Sequence, residues 1–342
     1  MSTSHTHQSR LNKENPTVSV IIPAYKVAPF IRETLDSVFA QTFKDFEVIL
    51  INDDSPDTRE LEKELETHRR EIVYLKQPHK GAGGARNAGL QVARGEYVAF
   101  LDGDDVWLPE FLSEQLRLIR SDNSYDLTYA DAINFGPGVP ESITNMAYNP
   151  SHGNVSFLKI LCGECNIVTS TVVARRELIM QVGCFNERFK NSQDFDLWLR
   201  LAKDGDARIT YQQKVLVRRR IYPGSLASDP LCSFAGELEV LNSMRRRNDL
   251  SALEKETLEN TLRRRQATVE ILKGKQELTI GDFKKAAASF SQATKYWPSK
   301  KINMVLFCLR VAPRVLQRVY KAKSVWFKAP LRDSTDNHQL RP

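Results

Sequence analysis

The sequence predicts an α/β fold in which helices flank a mostly parallel β-sheet, with an all-α appendage at its C-terminal end. Three observations support this fold class. Between Val18 and Leu101, short apolar runs alternate with helical patterns four times. The runs are apolar at consecutive positions, which is typical of parallel strands buried on both faces. After Pro230 only helical patterns occur. Such alternation predicts a doubly wound sheet with ligands at the carboxyl ends of its strands.

The first half of the chain carries the clearest patterns. A β-branched run ends at Pro23, and apolar residues from Phe30 onward recur at helical spacing. Ser55-Pro56 places a proline in the first turn of a charged helix, and Gly95 follows a further helical pattern. From these patterns we predict strands Val18–Ile22, Phe46–Ile51, Ile72–Leu75 and Tyr97–Leu101, and helix Ala85–Ala93.

Later elements rest on weaker patterns. We predict helices at 109–121, 175–182 and 194–204 and strands near 126–130 and 168–174. A helical hairpin, Leu253–Leu278 and Phe283–Tyr296, is ended by Trp297-Pro298. We accordingly divide the chain into a disordered leader, a main domain, a helical hairpin region and a basic amphipathic tail, at 1–15, 16–230, 231–299 and 300–342.

Composition excludes several classes of protein. The chain has 342 residues, of which 41% are hydrophobic and 27% charged, as expected for a globular rather than a disordered or fibrous protein. The apolar run Met304–Leu309 is far shorter than the roughly 18 residues that a membrane-spanning helix needs. The polar leader lacks the apolar core of a secretory signal, so we expect a cytoplasmic protein. The cysteines, including the Cys162 and Cys165 pair, are expected to be reduced thiols rather than zinc ligands.

Charge is distributed unevenly along the chain. The net charge is +7, and residues 231–342 carry 22 Lys and Arg against 11 Asp and Glu. No acidic residue lies between Asp282 and Asp333. This basic stretch is interleaved with apolar residues at helical spacing and broken at Pro313; the apolar positions are Val305, Leu306, Leu309, Val311, Val315, Leu316, Val319 and Tyr320.

Two interpretations of the basic tail are open. The favoured one is an interfacial helix on an anionic membrane, with Trp326 and Phe327 as aromatic anchors. The other is a helix that docks on the protein and keeps a solvated charged face. No nucleic-acid recognition motif accompanies the charge, so a nucleic-acid partner is not expected.

Clusters of carboxylates follow two of the predicted strands. Ile51 is followed by Asn52-Asp53-Asp54-Ser55, and Leu101 is followed by Asp102-Gly103-Asp104-Asp105. In a parallel sheet both clusters lie at the same edge, where the carboxylates repel one another unless a cation neutralises them. An Asp-x-Asp sequence supplies hard oxygen ligands for Mg²⁺ or Mn²⁺, which typically bridge to diphosphate oxygens. Taken alone, such a sequence is more often a solvated turn.

Five motifs occur in one order between about Pro16 and Ser228. They are VSVIIPAY at 18–25, NDDSPD at 52–57, GAGGARNAG at 81–89, YVAFLDGDDVWLP at 97–109 and QDFDLWLR at 193–200. In this order they closely resemble glycosyltransferase family 2, the inverting nucleotide-sugar transferases with a GT-A fold. The resemblance covers nearly two-thirds of the chain.

The resemblance implies a role for particular residues. Pro23 and Tyr25 would line the nucleotide pocket, and Asp53 would accept a hydrogen bond from a uracil ring. Arg86 would approach the nucleotide or its phosphates. Asp102 and Asp104 correspond to the metal-binding pair, with Asp104 favoured as the direct ligand of Mn²⁺ or Mg²⁺.

Two further roles come from the C-terminal part of the resemblance. Asp194 matches the general base, and Arg220 lies in a segment that closes near the phosphates. The chain also departs from the family at three positions: Asn52 stands where Asp is usual, Gln193 where Glu is common and Tyr222 where His is common. We expect Gln193 to affect acceptor binding or the base. Trp198 is expected to be a core residue, whereas Trp107 is left open between core packing and sugar contact.

The implied function is metal-dependent, inverting transfer of a sugar from a nucleotide-sugar, expected to be UDP-linked, to a lipid-linked or cell-surface glycan. We expect the protein to be peripheral on the inner membrane face. Two alternatives remain: a sugar nucleotidyltransferase and a non-catalytic scaffold that binds nucleotide-sugar. The first would need a Gly-rich loop directly after the first strand, where this chain has Pro23-Ala24-Tyr25.

Overall fold

The computed structural model describes residues 15–122, 125–141, 144–225 and 228–326. It divides into two compact units, Met1–Thr261 and Leu262–Pro342. Residues 1–14 of the expected leader, the side chain of Trp326 and the whole of Phe327 lie outside the described part.

The first unit contains one eight-stranded sheet. Its strands are β1 (Val18–Ala24), β2 (Phe46–Asn52), β3 (Ile72–Lys76), β4 (Tyr97–Phe100), β5 (Val106–Trp107), β6 (Leu127–Phe135), β7 (Val172–Arg175) and β8 (Ile209–Arg220). Their order across the sheet is β3-β2-β1-β4-β7-β6-β8-β5. Strands β1 to β4 pair in parallel, as the apolar runs predict. The pair β6–β8 is also parallel, whereas β7 is antiparallel to both of its neighbours and β5 is antiparallel to β8.

The register of the parallel strands places the motifs at one edge. Ala24 pairs with Asn52, and Ile21 pairs with Phe100. The ladder continues beyond the strands, because the Asp53 N–H donates to the Ala24 carbonyl at 3.1 Å. The carboxyl ends of β1, β2 and β4 therefore meet, which confirms the predicted placement of the acidic segments at a common edge.

The helices of the first unit flank this sheet. They are α1 (Ile31–Phe39), α2 (Thr58–Leu65), α3 (Gly81–Val92), α4 (Phe111–Ile119), α5 (Asn145–Tyr148), α6 (Phe157–Cys162), α7 (Arg176–Gln181), α8 (Gln193–Lys203) and α9 (Pro230–Met244). A short 3₁₀ turn, Thr169–Thr171, precedes β7.

Helix α3 begins four residues earlier than the sequence predicts. Its start is rich in glycine because neighbouring elements leave little room for larger side chains. A Cβ on Gly83 would lie 3.1 Å from Cγ of Gln193, and one on Gly89 would lie 2.6 Å from Cγ2 of Ile21. The glycines thus let α3 approach both β1 and α8 closely.

Helix α10 (Ala252–Ile280) runs from the first unit into the second, which also contains α11 (Phe283–Tyr296), α12 (Lys300–Val311) and α13 (Pro313–Trp326). The second unit has its own core, made by Leu278, Ala286, Phe290, Ala293, Ile302 and Leu309. The helix break falls at Ala312-Pro313, as the sequence predicts. None of the described helices combines the length and hydropathy needed to cross a membrane.

Candidate active site

The acidic segment after β4 packs closely against the end of β1. Its Gly103 permits this approach, because a Cβ there would lie 3.0 Å from the Pro23 carbonyl oxygen and from Cγ2 of Val27. Pro23 therefore lies beside the loop that carries Asp102 and Asp104. Tyr25, two residues further along the chain and just after the end of β1, is 39% exposed, and its ring centroid lies 4.4 Å from that of His79.

Asp53 is buried and binds the segment before α3. Its Oδ1 accepts hydrogen bonds from Nε2 of Gln77 at 2.6 Å and from the Lys80 N–H at 2.9 Å. Its Oδ2 accepts from the Gly81 N–H at 2.8 Å and lies 2.8 Å from Nδ1 of His79. A nucleobase N–H that donates a hydrogen bond to Asp53 would therefore share a carboxylate oxygen with these protein donors. His79 links Asp53 to Tyr25, a contact that motif reasoning missed.

Three carboxylates crowd the loop after β4. Burial, and then the charge of Asp102, raise the pKa of Asp104 to about 6, while a hydrogen bond from Tyr222 favours its ionised form. Burial, and then the charges of Asp102 and Asp104, raise the pKa of Asp105 to about 8. Asp105 is fixed by Oγ of Ser170 at 2.6 Å and by the Arg220 N–H at 2.8 Å.

This donor set fits a divalent cation. Asp102 and Asp104 offer hard carboxylate oxygens, and a cation would offset both the burial and the charge of Asp102 that raise the pKa of Asp104. Asp105 is already committed to its two protein donors. Within the described ranges no group of three or more His, Cys, Asp or Glu residues is arranged to hold a metal. Diphosphate or water oxygens would therefore have to complete the coordination shell.

Arg86 lies directly behind the acidic loop. It is 5% exposed, it donates from Nη2 to Oδ1 of Asp102 at 2.5 Å, and its guanidinium lies 5.4 Å from the ring centroid of Phe185. Its Nε is buried and has no hydrogen-bond partner among the residues that the structure describes. Asp102, by contrast, keeps a side chain that is 40% exposed. Asp102 is therefore a solvent-accessible carboxylate that is paired with the buried guanidinium of Arg86.

Asp194 lies in the first turn of α8, and the 3₁₀ turn connects it to the acidic loop. Oδ2 of Asp194 accepts a hydrogen bond from Oγ1 of Thr169 at 2.8 Å, and Oδ1 accepts from the Phe195 N–H at 2.8 Å. The next residue, Ser170, donates to Asp105 and accepts from the Asp102 N–H at 3.1 Å. Two consecutive residues thus contact Asp194 and the acidic loop, which brings the two sequence-distant carboxylate groups together.

Arg220 also reaches the acidic loop. Its Nε donates to the Asp104 carbonyl at 2.8 Å, and its Nη2 donates to Glu33 at 2.5 Å. The guanidinium lies 4.7 Å from the ring centroid of Phe30 and 4.4 Å from that of Phe135. Strand β8 therefore brings Arg220 to the acidic loop, and its expected role near the phosphates stays a prediction.

The three departures from the family pattern have local explanations. The amide of Asn52 donates to Oγ1 of Thr58 and to the hydroxyl of Tyr74, both at 2.9 Å, which an aspartate could not do. Gln193 is 6% exposed and donates to the Lys190 carbonyl at 2.6 Å. Tyr222 hydrogen-bonds Asp104 directly, so it contacts the expected metal ligand.

Both tryptophans of the first unit that motif reasoning singled out are core residues. Trp107 is 2% exposed, stacks on Phe111 and donates to the Ser170 carbonyl at 2.8 Å. Trp198 is also 2% exposed. Cys162 and Cys165 are free thiols, and burial raises the pKa of Cys162 to about 11.

Comparison with known proteins identifies the family. The sequence model described as Glycosyl transferase family 2 matches residues 19–180. An Escherichia coli protein, the UDP-Glc:alpha-D-GlcNAc-diphosphoundecaprenol beta-1,3-glucosyltransferase WfaP, is 31% identical over 233 residues, covering 66% of this chain and 86% of that protein. The chain belongs to glycosyltransferase family 2. Asp194 and Arg220 lie beyond the residues that the family model matches.

Other relatives differ in length. The amylovoran biosynthesis glycosyltransferase AmsB of Erwinia amylovora is 33% identical over 196 residues, covering 55% of this chain and 64% of that protein. An uncharacterized glycosyltransferase of Rickettsia felis is 29% identical over 221 residues, covering 62% of this chain. This chain spans only 35% of that relative's length.

Solved structures confirm the expected GT-A fold. S. aureus TarS 1-349 has a TM-score of 0.56 at 19% identity, covering 92% of this chain and 93% of that one. The mannosyltransferase PcManGT from Pyrobaculum calidifontis, solved in complex with GDP-Man and Mn²⁺, has a TM-score of 0.57 at 18% identity, covering 92% and 88%.

Proposed function

We propose that this family member transfers a sugar from a UDP-linked nucleotide-sugar to a lipid-linked glycan acceptor. The transfer inverts the configuration at the anomeric carbon. The observation that carries the proposal is the contact of Thr169 and Ser170 with Asp194 on one side and the acidic loop on the other. This arrangement supports a site in which Asp194 acts as the base beside a loop that binds the diphosphate.

The donor and acceptor classes are inferred from relatives. WfaP is named for UDP-Glc and a GlcNAc-diphosphoundecaprenol acceptor, and so is WfgD of Escherichia coli. In keeping with a lipid-linked acceptor, we place the protein in the cytoplasm, peripheral on the inner membrane face.

The reaction is a single displacement. Asp194 accepts the proton of the acceptor hydroxyl. At the same time the oxygen of that hydroxyl forms a bond to C1 of the sugar from the face opposite the diphosphate. The bond between C1 and the phosphate oxygen breaks, and its electron pair leaves with the nucleoside diphosphate. No covalent enzyme intermediate forms, so the anomeric configuration inverts.

The leaving diphosphate gains negative charge, which needs a cationic surrounding. Mn²⁺ or Mg²⁺ held by Asp102 and Asp104 would supply positive charge to the phosphate oxygens when bound. Arg86 holds the Asp102 carboxylate, and its guanidinium supplies a positive charge behind the acidic loop that supports binding of an anionic ligand there. Pro23, Tyr25 and Asp53, at the ends of β1 and β2, would receive the nucleoside.

A panel of nucleotide-sugars tests the proposal. Donor hydrolysis is measured with Mn²⁺ and again with a chelator, and we expect at least one UDP-sugar to be consumed only with metal. If no donor is consumed with metal present, the transferase proposal fails and a non-catalytic nucleotide-sugar-binding scaffold becomes the better account. Release of pyrophosphate from a nucleoside triphosphate and a sugar phosphate would instead favour a nucleotidyltransferase.

A further inference from the structure

Helices α12 and α13 carry apolar side chains on two different sides. On one side Ile302 and Leu309 are buried in the core of the second unit, with Leu316 and Tyr320 packed against them. Five other large apolar side chains of these helices are exposed: Met304, Phe307, Val311, Val315 and Val319, which are 68%, 66%, 67%, 59% and 47% exposed. We call these five residues the outer stripe.

The outer stripe has the spacing of a continuous helical face. Its members follow one another at intervals of three or four residues, so on each helix they project from one side. The buried residues Ile302, Leu309 and Leu316 fall at other angles on the same helices. Core packing therefore explains only one apolar side of the tail, and the second side is solvent-exposed within the unit.

Basic side chains border the outer stripe. Arg310, Arg314 and Arg318 are exposed and each immediately precedes a member of the stripe, and Lys300 is exposed at the start of α12. The stretch from Phe283 to Arg332 contains no acidic residue. An apolar strip with a purely cationic border matches an anionic lipid interface, where apolar groups enter the acyl boundary and cations stay at the headgroups.

We propose that the outer stripe docks on an anionic lipid surface, with α12 and α13 lying on the bilayer rather than crossing it. A second copy of the chain fits less well, because pairing two stripes would bring two arginine rows together. Leu309, Leu316 and Tyr320 take no part, since they pack in the protein core. The inference deepens the proposed function, because a lipid-linked acceptor is found at such a surface.

Vesicle flotation of the full chain tests this directly. Vesicles of phosphatidylcholine alone are compared with vesicles that also contain phosphatidylglycerol, and we expect binding only to the anionic ones. The variant Phe307→Gln/Val311→Gln/Val315→Gln should lose binding, whereas Ile280→Gln, an exposed apolar residue of the same unit outside the stripe, should bind as the wild type does.

A charge variant separates the two contributions. Arg310→Gln/Arg314→Gln/Arg318→Gln should weaken partitioning into anionic vesicles roughly 100-fold at low salt. The matched control, Arg246→Gln/Lys255→Gln/Arg263→Gln, removes the same charge at exposed positions elsewhere and should change partitioning far less. Circular dichroism checks that every variant is folded.

Several outcomes would overturn the inference. One is equal binding to neutral and anionic vesicles, and another is undiminished binding by the stripe variant. A wild-type dimer that the stripe variant converts to a monomer would assign the surface to a second copy instead. Donor hydrolysis in vesicle-free solution reports the proposed function separately: a chain that hydrolyses donor but ignores vesicles refutes only the lipid surface, and the reverse result refutes only the transferase.

Discussion

Thr169 offers a sharp test of how the site is assembled. Its hydroxyl donates to Oδ2 of Asp194 at 2.8 Å, and the side chain is 5% exposed. Thr169→Val keeps the shape and removes this one donor, while the Phe195 N–H continues to hold Oδ1. A hydrogen bond to a charged group contributes about 1.5 to 3 kcal/mol. If that energy orients the base for proton transfer, kcat should fall about 10- to 150-fold.

The assay for Thr169→Val is release of nucleoside diphosphate, with donor affinity measured in parallel by calorimetry. We expect kcat to fall and donor affinity to stay, because Thr169 contacts the base rather than the nucleotide. Thr169→Ser retains the hydroxyl and should recover most of the activity. Wild-type kcat in Thr169→Val, or equal impairment in Thr169→Ser, would refute the positioning role.

Three further perturbations probe other parts of the structure. Asp104→Asn should weaken Mn²⁺ binding to the nucleotide-loaded protein at least about tenfold by calorimetry, because one of two carboxylate ligands is lost; unchanged affinity would contradict the assignment. Asn52→Asp should lower the free energy of unfolding by about 1 to 3 kcal/mol in denaturant titrations, because two donated hydrogen bonds at a buried site are removed. Gly89→Ala should cost about 1 to 3 kcal/mol through its clash with Ile21, and a neutral result would show that α3 can move away from β1.

The parallel half of the sheet could be predicted because its strands are buried on both faces. Their apolar runs leave a clear pattern, and the observed strands begin at the predicted residues and end within one or two residues of the predicted ends. Strand β8 left no such pattern, since Gln212, Gln213 and Lys214 interrupt it and much of it is only half-buried. The antiparallel placement of β7 depends on packing between distant segments, which local patterns do not record.

The site could be predicted only as far as its motifs reach. Asp104 and Asp194 belong to recognisable motifs, whereas Thr169 and Ser170 are common residue types whose role comes from contacts across 25 to 68 residues of chain. The basic tail shows another limit. Apolar residues recur at helical spacing on both of its sides, and this spacing does not distinguish a buried side from an exposed one. The sequence therefore does not reveal that Leu309 packs inward while Val311 is exposed.

The proposed mechanism requires Asp194 to act at the same site as the acidic loop, and Asp194→Asn tests this most directly. The substitution removes the proton acceptor and keeps the side-chain shape. We expect turnover to fall by about 10²- to 10⁴-fold, the usual contribution of a general base, while nucleotide-sugar affinity in the presence of Mn²⁺ stays within about twofold of the wild type. Undiminished turnover, or an equal loss of donor binding, would contradict the account.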